Sequence, residues 1–232
     1  AIEAGLSAYA APLGFLEAGA ETFAGQIPTI LKINSSNSLS SIKNQSKNGT
    51  VKEALRLGCA AVGFTIYPGS DYQYDMIEEF KEISFEASEA GLPSVLWSYP
   101  RGPNIDKESE TSIDTIAYAA HIAALLGAHI IKVKPPSSSV TNSDLKKQYS
   151  EFFSNIESLS ERIKHIKKSA FNSKKLVVFS GGNAKGTQEM LEEIEQIKNG
   201  GGNGSIIGRN TFQRPRAEAL QLLQSVINIY KK

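Results

Sequence analysis

Short apolar runs recur along the chain and alternate with segments of helical periodicity. A weak first run covers residues 4–10, and stronger runs begin at Ile27, Ala60, Ser94, His129, Leu176 and Gly204. These runs are apolar at consecutive positions, which is typical of parallel strands that are buried on both faces. The pattern therefore predicts a series of β-α units.

Apolar residues spaced three and four apart mark the helices between these runs. One stripe consists of Met76, Phe80, Ile83 and Ala87. A longer stripe predicts a single helix from Leu145 to Ile163, and the last helix is expected over about 216–230. Capping boxes are predicted at Thr50 with Glu53 and at Ser70 with Gln73. Glycines that close helices before the next strand are expected at Gly25, Gly58, Gly91 and Gly127.

Seven β-α units at this period favour a (β/α)₈ TIM barrel, an α/β fold, over an open doubly wound sheet. The open sheet lacks support because no G-x-G-x-x-G motif follows the first strand. A closed barrel needs eight strands, so we expect one barrel domain over 1–232 that is N-terminally incomplete and lacks its first β-α unit. The polar segments 35–49 and 137–144 are expected to be exposed loops after strands, where barrels build their sites.

Composition and charge narrow the range of partners. The chain has 25 Lys and Arg against 24 Asp and Glu, a formal net charge of +1, so neither nucleic acid nor a membrane surface is expected as a partner. No apolar run approaches the roughly 18 residues of a membrane span. Cys59 is the single cysteine, which excludes an internal disulfide and favours a cytoplasmic location. No histidine clusters with carboxylates at ligand spacing, so no metal site is predicted.

The run from His129 to Pro136 carries two lysines two residues apart. Lys132 and Lys134 share one face of the strand. Burial and a second cation each lower the pKa of a lysine, and a neutral amine can attack a carbonyl and form a Schiff base. Alternatively, one or both side chains extend to solvent at the strand end. The strand pattern alone leaves open which lysine would react.

Polar and aromatic residues stand at the ends of other strands. Trp97, Tyr99 and Arg101 alternate along one extended segment, and together they offer an aromatic wall, a proton-transferring phenol and a phosphate-binding guanidinium. The alternative is that the two aromatic rings fill the barrel and Arg101 is a surface charge. Lys32 and Asn34 share a face in the same way, and either contact substrate hydroxyls or satisfy polar groups of the barrel.

The last two strands end in glycine-rich turns. Ser180-Gly181-Gly182 follows one strand, and Gly208-Arg209 follows the next. In the seventh and eighth positions of a barrel, such turns bind phosphate through backbone N–H groups. A plain tight turn is the alternative for Gly181-Gly182 taken alone.

Six motifs occur in order along the chain: ILKIN (30–34), AVGFTIYPGS (61–70), VLWSYPRG (95–102), LGAHIIKVK (126–134), FSGG (179–182) and IIGRN (206–210). Together they resemble the class I fructose-1,6-bisphosphate aldolases of the archaeal and bacterial type. The resemblance implies a metal-independent and cofactor-independent lyase of glycolysis and gluconeogenesis. Such an enzyme cleaves fructose 1,6-bisphosphate reversibly to dihydroxyacetone phosphate and glyceraldehyde 3-phosphate.

The resemblance also assigns roles to residues. It implies that Lys132 forms the Schiff base and that Tyr99 is the general acid and base. Lys134 would be the neighbouring cation that keeps Lys132 deprotonated, or a substrate contact. Substrate binding is implied for Trp97, Arg101, Lys134, Ser180, Gly181, Gly182, Gly208 and Arg209. A phosphorylated sugar is the implied partner, together with further copies of the chain in a large, decamer-like homo-oligomer.

Two departures from the family pattern keep other functions open. The Asp-His-Gly motif of the family's first strand is absent, which fits a missing first β-α unit, and Pro135-Pro136 replaces the usual Tyr-Thr-Gly. Alternatives on the same scaffold are a Schiff-base transaldolase-type synthase and a sugar-phosphate thiolase. Trp97 favours the bisphosphate aldolase, because the synthases tend to lack it. The absent aspartate suggests a further alternative, a non-catalytic sugar-phosphate-binding protein.

Overall fold

The computed structural model describes residues 1–153, 155–181 and 186–231. The strands are β1 (Tyr9–Pro12), β2 (Thr29–Lys32), β3 (Asn34–Ser35), β4 (Ser46–Lys47), β5 (Ala61–Ile66), β6 (Ser94–Ser98), β7 (Ile130–Val133), β8 (Leu176–Ser180) and β9 (Gly204–Ile206). The helices are α1 (Leu13–Ala18), α2 (Ala20–Phe23), α3 (Val51–Arg56), α4 (Gln73–Glu89), α5 (Ile113–Leu125), α6 (Ser143–Phe152), α7 (Leu159–Ser169), α8 (Thr187–Asn199), α9 (Arg209–Phe212) and α10 (Arg216–Lys231). A 3₁₀ turn covers Ser109–Thr111.

Seven of these strands form one parallel sheet in the order β1-β2-β5-β6-β7-β8-β9, so, apart from the separate pair of β3 and β4, strands that follow one another along the chain are neighbours in the sheet. Within the described residues, no pairing joins β1 to β9, and the sheet is one strand short of a closed eight-stranded barrel. The predicted α/β fold, an incomplete TIM barrel, is thereby confirmed. None of the described helices is both long enough and apolar enough to cross a membrane.

Alternate residues of each strand face two different apolar layers. On β5, Val62, Phe64 and Ile66 belong to the large cluster between the sheet and the helices, where the Phe64 ring lies 5.9 Å from the Phe80 ring. Ala61 instead belongs to a small cluster with Val95 and Trp97 on the concave side of the sheet. The strands read as continuously apolar because both of their faces are covered.

Most of the predicted helix ends are confirmed. Thr50 caps α3, where its hydroxyl accepts a hydrogen bond from the backbone N–H of Glu53 at 3.2 Å. The stripe predicted on α4 is buried as expected. The predicted helix-closing glycines all have positive φ values, of 70°, 63°, 74° and 87° at Gly25, Gly58, Gly91 and Gly127.

The capping box predicted at Ser70 is wrong. Helix α4 begins only at Gln73 and has no side-chain cap, because the Ser70 hydroxyl accepts from the N–H of Tyr72 ahead of the helix. The predicted loop over 35–49 is also more ordered than expected. It contains the antiparallel pair of β3 and β4, and the side chain of Gln45 is buried against Tyr67.

The single helix predicted from Leu145 to Ile163 is two helices, α6 and α7. The backbone is extended at Phe153 and at Ser158, so the helical path is broken between them. The Arg162 guanidinium donates to the carbonyls of Ile156 and Glu157 at 2.7 and 2.8 Å. These bonds satisfy carbonyls in the break, which a continuous helix would have bonded to backbone N–H groups.

The last helix, α10, matches its prediction within one residue. Its apolar face packs on α8 in a separate cluster consisting of Met190, Ile194, Leu222, Val226 and Ile229. The Tyr230 hydroxyl lies 2.7 Å from the Ser205 hydroxyl of β9. The apolar face of α10 is therefore occupied by contacts within the same chain.

Candidate active site

The register of the central strands brings the predicted site residues together at the carboxyl ends of β6, β7 and β8. Trp97 pairs with Lys132 across β6 and β7, and Lys132 pairs with Val178 on β8. On the other side, Thr65 of β5 pairs with Trp97. Because parallel strands end at the same edge of the sheet, their terminal side chains face a common mouth.

Lys132 is the buried amine of this mouth. Its residue is 8% exposed, and its Nζ lies 5.5 Å from the Trp97 ring centroid and 6.0 Å from the Tyr99 ring centroid. Burial lowers the pKa of Lys132 to about 7. A large fraction of this amine is therefore neutral and nucleophilic at neutral pH.

A second buried amine, Lys32, shares the Trp97 ring with Lys132. Its Nζ lies 5.6 Å from the ring centroid and donates to the Oδ1 of Asn34 at 2.6 Å. Asn34 is fully buried and is itself fixed by two bonds to the backbone of Thr65. Burial, and then the charge of Lys132, lower the pKa of Lys32 to about 7.

Lys134 occupies a different environment from the one expected. Its Nζ forms an ion pair with the carboxylate of Glu110 at 2.7 Å, and its side chain is one quarter exposed. The expectation that Lys134 is the cation beside Lys132 is therefore corrected, because Lys32 is the cation that shares the Trp97 ring. The strand pattern missed this contact since Lys32 comes from β2, three strands away in the sheet.

The Tyr99 ring lies beside Lys132, with its centroid 6.0 Å from the Nζ. Burial raises the pKa of Tyr99 well above its ordinary value, and the nearby phenol of Tyr67 adds to this. The charge of Arg101 and a hydrogen bond with the Ser180 side chain act in the opposite direction. The phenol is therefore protonated at neutral pH and is placed to donate a proton.

Arg101 lies over a second aromatic ring at the same mouth. Its guanidinium carbon is 5.0 Å from the centroid of Tyr67, a buried residue at the end of β5. Its Nε is buried, and no hydrogen-bond partner for it lies within the described ranges. Because buried polar groups are normally paired, this guanidinium has capacity left for an anion.

The predicted phosphate turns adjoin each other at the ends of β8 and β9. The Asn210 amide donates to the carbonyl of Gly181 at 2.7 Å and so joins the two turns. A Cβ on Gly181 would stand 3.3 Å from that amide nitrogen. Gly208 immediately precedes α9, and Arg209 is exposed as its first residue. Gly182 lies outside the described residues.

Gly63 is a site residue that sequence reasoning missed. It pairs with Lys32 and with Val95 across neighbouring strands. A Cβ at this position would lie 2.6 Å from the Cζ3 of Trp97, so only glycine leaves room for the indole. A glycine inside an otherwise apolar strand was the signal that could have found it.

The three histidines have partners away from this mouth. His121 bonds the carbonyl of Ser169, His129 bonds Ser94, and His165 bonds the Tyr149 hydroxyl. Within the part of the chain that the structure describes, no three His, Cys, Asp or Glu side chains are grouped to hold a metal ion.

Comparison with known proteins agrees with the fold. The family described as DeoC/LacD family aldolase matches residues 1–214. The chain therefore belongs to the DeoC/LacD aldolase family. A class 1 fructose-bisphosphate aldolase of Halobacterium salinarum is 33% identical over 224 residues, which cover 96% of this chain and 76% of that protein.

Two further similarities narrow the position within the family. A protein of Methanocaldococcus jannaschii named fructose-bisphosphate aldolase/6-deoxy-5-ketofructose 1-phosphate synthase is 32% identical over 213 residues, 88% of this chain and 62% of that protein. A solved archaeal fructose-1,6-bisphosphate aldolase has its catalytic Lys covalently bound to the carbinolamine intermediate of the substrate. It is 30% identical with a TM-score of 0.82, over 99% of this chain and 80% of that one. The resemblance drawn from the motifs is confirmed.

Proposed function

We propose that this chain is a class I fructose-bisphosphate aldolase that cleaves fructose 1,6-bisphosphate to dihydroxyacetone phosphate and glyceraldehyde 3-phosphate. The observation that carries the proposal is the buried Lys132, whose pKa is lowered to about 7 between Trp97 and Tyr99. A lysine in this state is the nucleophile that Schiff-base chemistry requires. Family membership and the named aldolase relatives support the same reaction.

The reaction begins when neutral Lys132 attacks the C2 ketone carbon of the substrate. The carbinolamine loses its hydroxyl as water once Tyr99 supplies a proton, and an iminium ion forms. The iminium draws in the electron pair of the C3–C4 bond as the C4 hydroxyl loses its proton to the Tyr99 phenolate. Glyceraldehyde 3-phosphate leaves, and the enamine is protonated at C3. Hydrolysis then releases dihydroxyacetone phosphate and regenerates the amine.

Trp97 lies next to the Lys132 nitrogen both when this nitrogen is a neutral amine and when it is a charged iminium. Before the reaction, burial favours a neutral Lys132, and the charge of Lys132 in turn lowers the pKa of Lys32. After condensation, the nitrogen carries the positive charge of the iminium, which the face of the indole attracts. The same indole thus lies close to both amines and stabilises the intermediate.

The two phosphates of the substrate require anion sites on either side of Lys132. We assign one phosphate to Ser180, Gly181, Gly182, Gly208 and Arg209, after β8 and β9. We assign the other to Arg101 and Lys134, after β6 and β7. The spare capacity of the Arg101 guanidinium supports the second assignment.

Borohydride trapping with dihydroxyacetone phosphate tests the function directly. We expect a reduced adduct on Lys132, located by peptide mass spectrometry, and no adduct in Lys132→Met. An adduct on Lys32 or Lys134 would keep the Schiff-base mechanism and move the nucleophile. Phosphosugar binding without any adduct would favour the non-catalytic binding protein instead.

A transaldolase-type synthase is the second candidate, because the Methanocaldococcus jannaschii relative carries a synthase name besides its aldolase name. Both reactions share the enamine formed on a lysine, and they differ in the aldehyde that receives it. Competition between glyceraldehyde 3-phosphate and unphosphorylated aldehydes, scored by product mass, distinguishes them. Preferred transfer to an unphosphorylated aldehyde would favour the synthase.

We also propose that the chain assembles into a homo-oligomer in the cytoplasm. Large apolar side chains stand exposed on α4 and α5, namely Phe85, Tyr118 and Leu125. Exposed apolar groups of this size are common at subunit interfaces. Light scattering on the purified protein tests the assembly, and a monomer at micromolar concentration would contradict it.

A further inference from the structure

The ion pair of Lys134 lies where the loops after β6 and β7 meet. Lys134 Nζ is 2.7 Å from one carboxylate oxygen of Glu110, and Lys107 Nζ is 3.8 Å from the other. Glu110 belongs to the 3₁₀ turn, and its side chain is only 14% exposed. β6 ends one residue before Tyr99 and β7 ends one residue after Lys132, so the ion pair joins the segments next to both proposed catalytic residues.

Other hydrogen bonds fasten the same two loops without using the Glu110 carboxylate. The Ser137 N–H donates to the carbonyl of Thr111 at 2.7 Å, and the Ile113 N–H donates to the carbonyl of Ser139 at 3.0 Å. The backbone on either side of Glu110 is therefore held independently of its side chain. The carboxylate can turn away from the cations while the loops stay in place.

Three cations act on this single carboxylate. Burial opposes its ionisation, but the hydrogen bond and charge of Lys134, with the charges of Lys107 and Arg101, hold the pKa of Glu110 below its usual value. Two of these cations, Lys134 and Lys107, lie within ion-pair distance of the carboxylate, and Arg101 acts on it through its charge alone. A phosphate monoester carries about −1.5 to −2 charges at pH 7 and three acceptor oxygens, so it matches this cluster better than a carboxylate does.

We propose that Glu110 is a specificity-determining residue, which in the free enzyme occupies the position among Lys134, Lys107 and Arg101 that the second phosphate of a bisphosphate ketose takes. The inference rests on the proposed function, because an aldolase substrate held by its first phosphate after β8 and β9 presents its second phosphate here. A ketose with one phosphate leaves Glu110 in place. Glu110 thereby sets how strongly the enzyme prefers two phosphates over one.

Two substitutions should move this preference in opposite directions. Glu110→Gln removes the competing charge, so kcat/KM for fructose 1,6-bisphosphate relative to fructose 1-phosphate should rise about fivefold. Lys134→Gln removes a phosphate-binding cation and should lower the same ratio by about tenfold. Glu108→Gln removes an exposed charge two residues earlier in the loop and should leave the ratio unchanged.

A ratio that stays constant or falls in Glu110→Gln would overturn the inference, as would an equal change in Glu108→Gln. Trapping of dihydroxyacetone phosphate on Lys132 is measured in the same variants, since this ligand has only one phosphate. Normal trapping with a constant ratio rejects the role of Glu110 and leaves the aldolase function intact. Absence of trapping in the unsubstituted protein rejects both.

Discussion

Two lysine amines, one from β2 and one from β7, lie at about the same distance from the indole ring of Trp97. Lys32 and Lys132 lie 5.6 and 5.5 Å from its ring centroid, and the pKa of each is lowered to about 7. Two interacting groups with similar pKa values titrate as a pair, so a proton on one amine disfavours a proton on the other. The reactivity of Lys132 therefore depends on the state of Lys32.

The pH dependence of trapping tests this coupling. In the unsubstituted protein, the rate of adduct formation on Lys132 should rise with pH and reach half its maximum near pH 7, as the amine loses its proton. Lys32→Met removes the repulsion and should move the midpoint to higher pH. Lys164→Met, at an exposed lysine on α7, is the control and should leave the midpoint in place. A midpoint unaffected by Lys32→Met would contradict the coupling.

The same burial should reduce stability. The pKa of Lys32 falls from 10.5 to about 7 on folding, so between these values the unfolded chain binds more protons, and the free energy of unfolding rises with pH. The cost near pH 7 is on the order of 4 kcal/mol for one such lysine. Lys32→Met should therefore raise the free energy of unfolding at pH 7, and the gain should shrink by pH 9. Urea melts across this range measure it, and a loss of stability at pH 7 would contradict the prediction.

At the scale of elements, the packing of Trp97 depends on a gap in the neighbouring strand. Gly63 of β5 leaves that gap, since a Cβ there would stand 2.6 Å from Cζ3 and 2.9 Å from Cη2 of the indole. A buried ring on one side and strand backbone on the other leave little room for adjustment. The position of the indole over both amines is thus set by a residue that has no side chain.

Gly63→Ala should displace the Trp97 ring and lower kcat by at least about tenfold, because small shifts at a reacting centre have large effects on rate. Overpacking should also cost about 1–3 kcal/mol of stability. Gly14→Ala, in α1 with open space around its Cβ, is the matched control; it should leave kcat unchanged and should not lower stability, because Ala favours a helix over Gly. Steady-state kinetics and thermal melts measure the two effects, and normal kcat in Gly63→Ala would contradict this account.

Hydrophobic periodicity predicted the elements well where packing alone determines them. The seven strands of the parallel sheet were all indicated, because strands covered on both faces are apolar throughout. The pair of β3 and β4 was missed, since two-residue strands show no period. The break between α6 and α7 was missed because Arg162 satisfies its carbonyls, which the apolar stripe does not reveal.

The residues of the candidate site also fall into those that the sequence indicated and those that it missed. Strand-end motifs indicated Lys132, Tyr99 and Trp97, and the structure brings these side chains together. Their roles stay predictions. Lys32 and Glu110 contact Trp97 and Lys134 from other strands and loops, and a pattern read along one segment does not show such contacts. The family resemblance also did not indicate that Lys134 has a carboxylate partner.

At the scale of the whole molecule, one large apolar cluster lies between the sheet and the helices and another lies between α8 and α10, and each adjoins a different part of the site. The large cluster lies behind β5, β6 and β7, which carry Trp97 and Lys132. The separate α8–α10 cluster consists of Met190, Ile194, Leu222, Val226 and Ile229, beside the turns assigned to phosphate. Loss of packing in one cluster should therefore affect one part of the site first.

Leu222→Ala should loosen the α8–α10 cluster at a cost of about 2–5 kcal/mol. We expect faster amide exchange in α8 and α10, a higher KM for phosphorylated substrates, and unchanged protection in β6 and β7. Ile83→Ala, in α4 against the large cluster, is the comparison and should instead weaken protection of β5 and β6. Hydrogen exchange with mass spectrometry measures both, and uniform loss of protection in Leu222→Ala would contradict this division.

Because Trp97 pairs with Lys132 across β6 and β7, the site forms only when these two strands keep this register. Side chains alternate between the two sides of a strand, so sliding β7 by one residue would present Ile131 or Val133 to the mouth and turn the amine toward the helices. The register changes only by whole residues, so no register between these two leaves the Lys132 amine partly in place. One residue inserted within β7 is therefore expected to remove the proposed chemistry altogether.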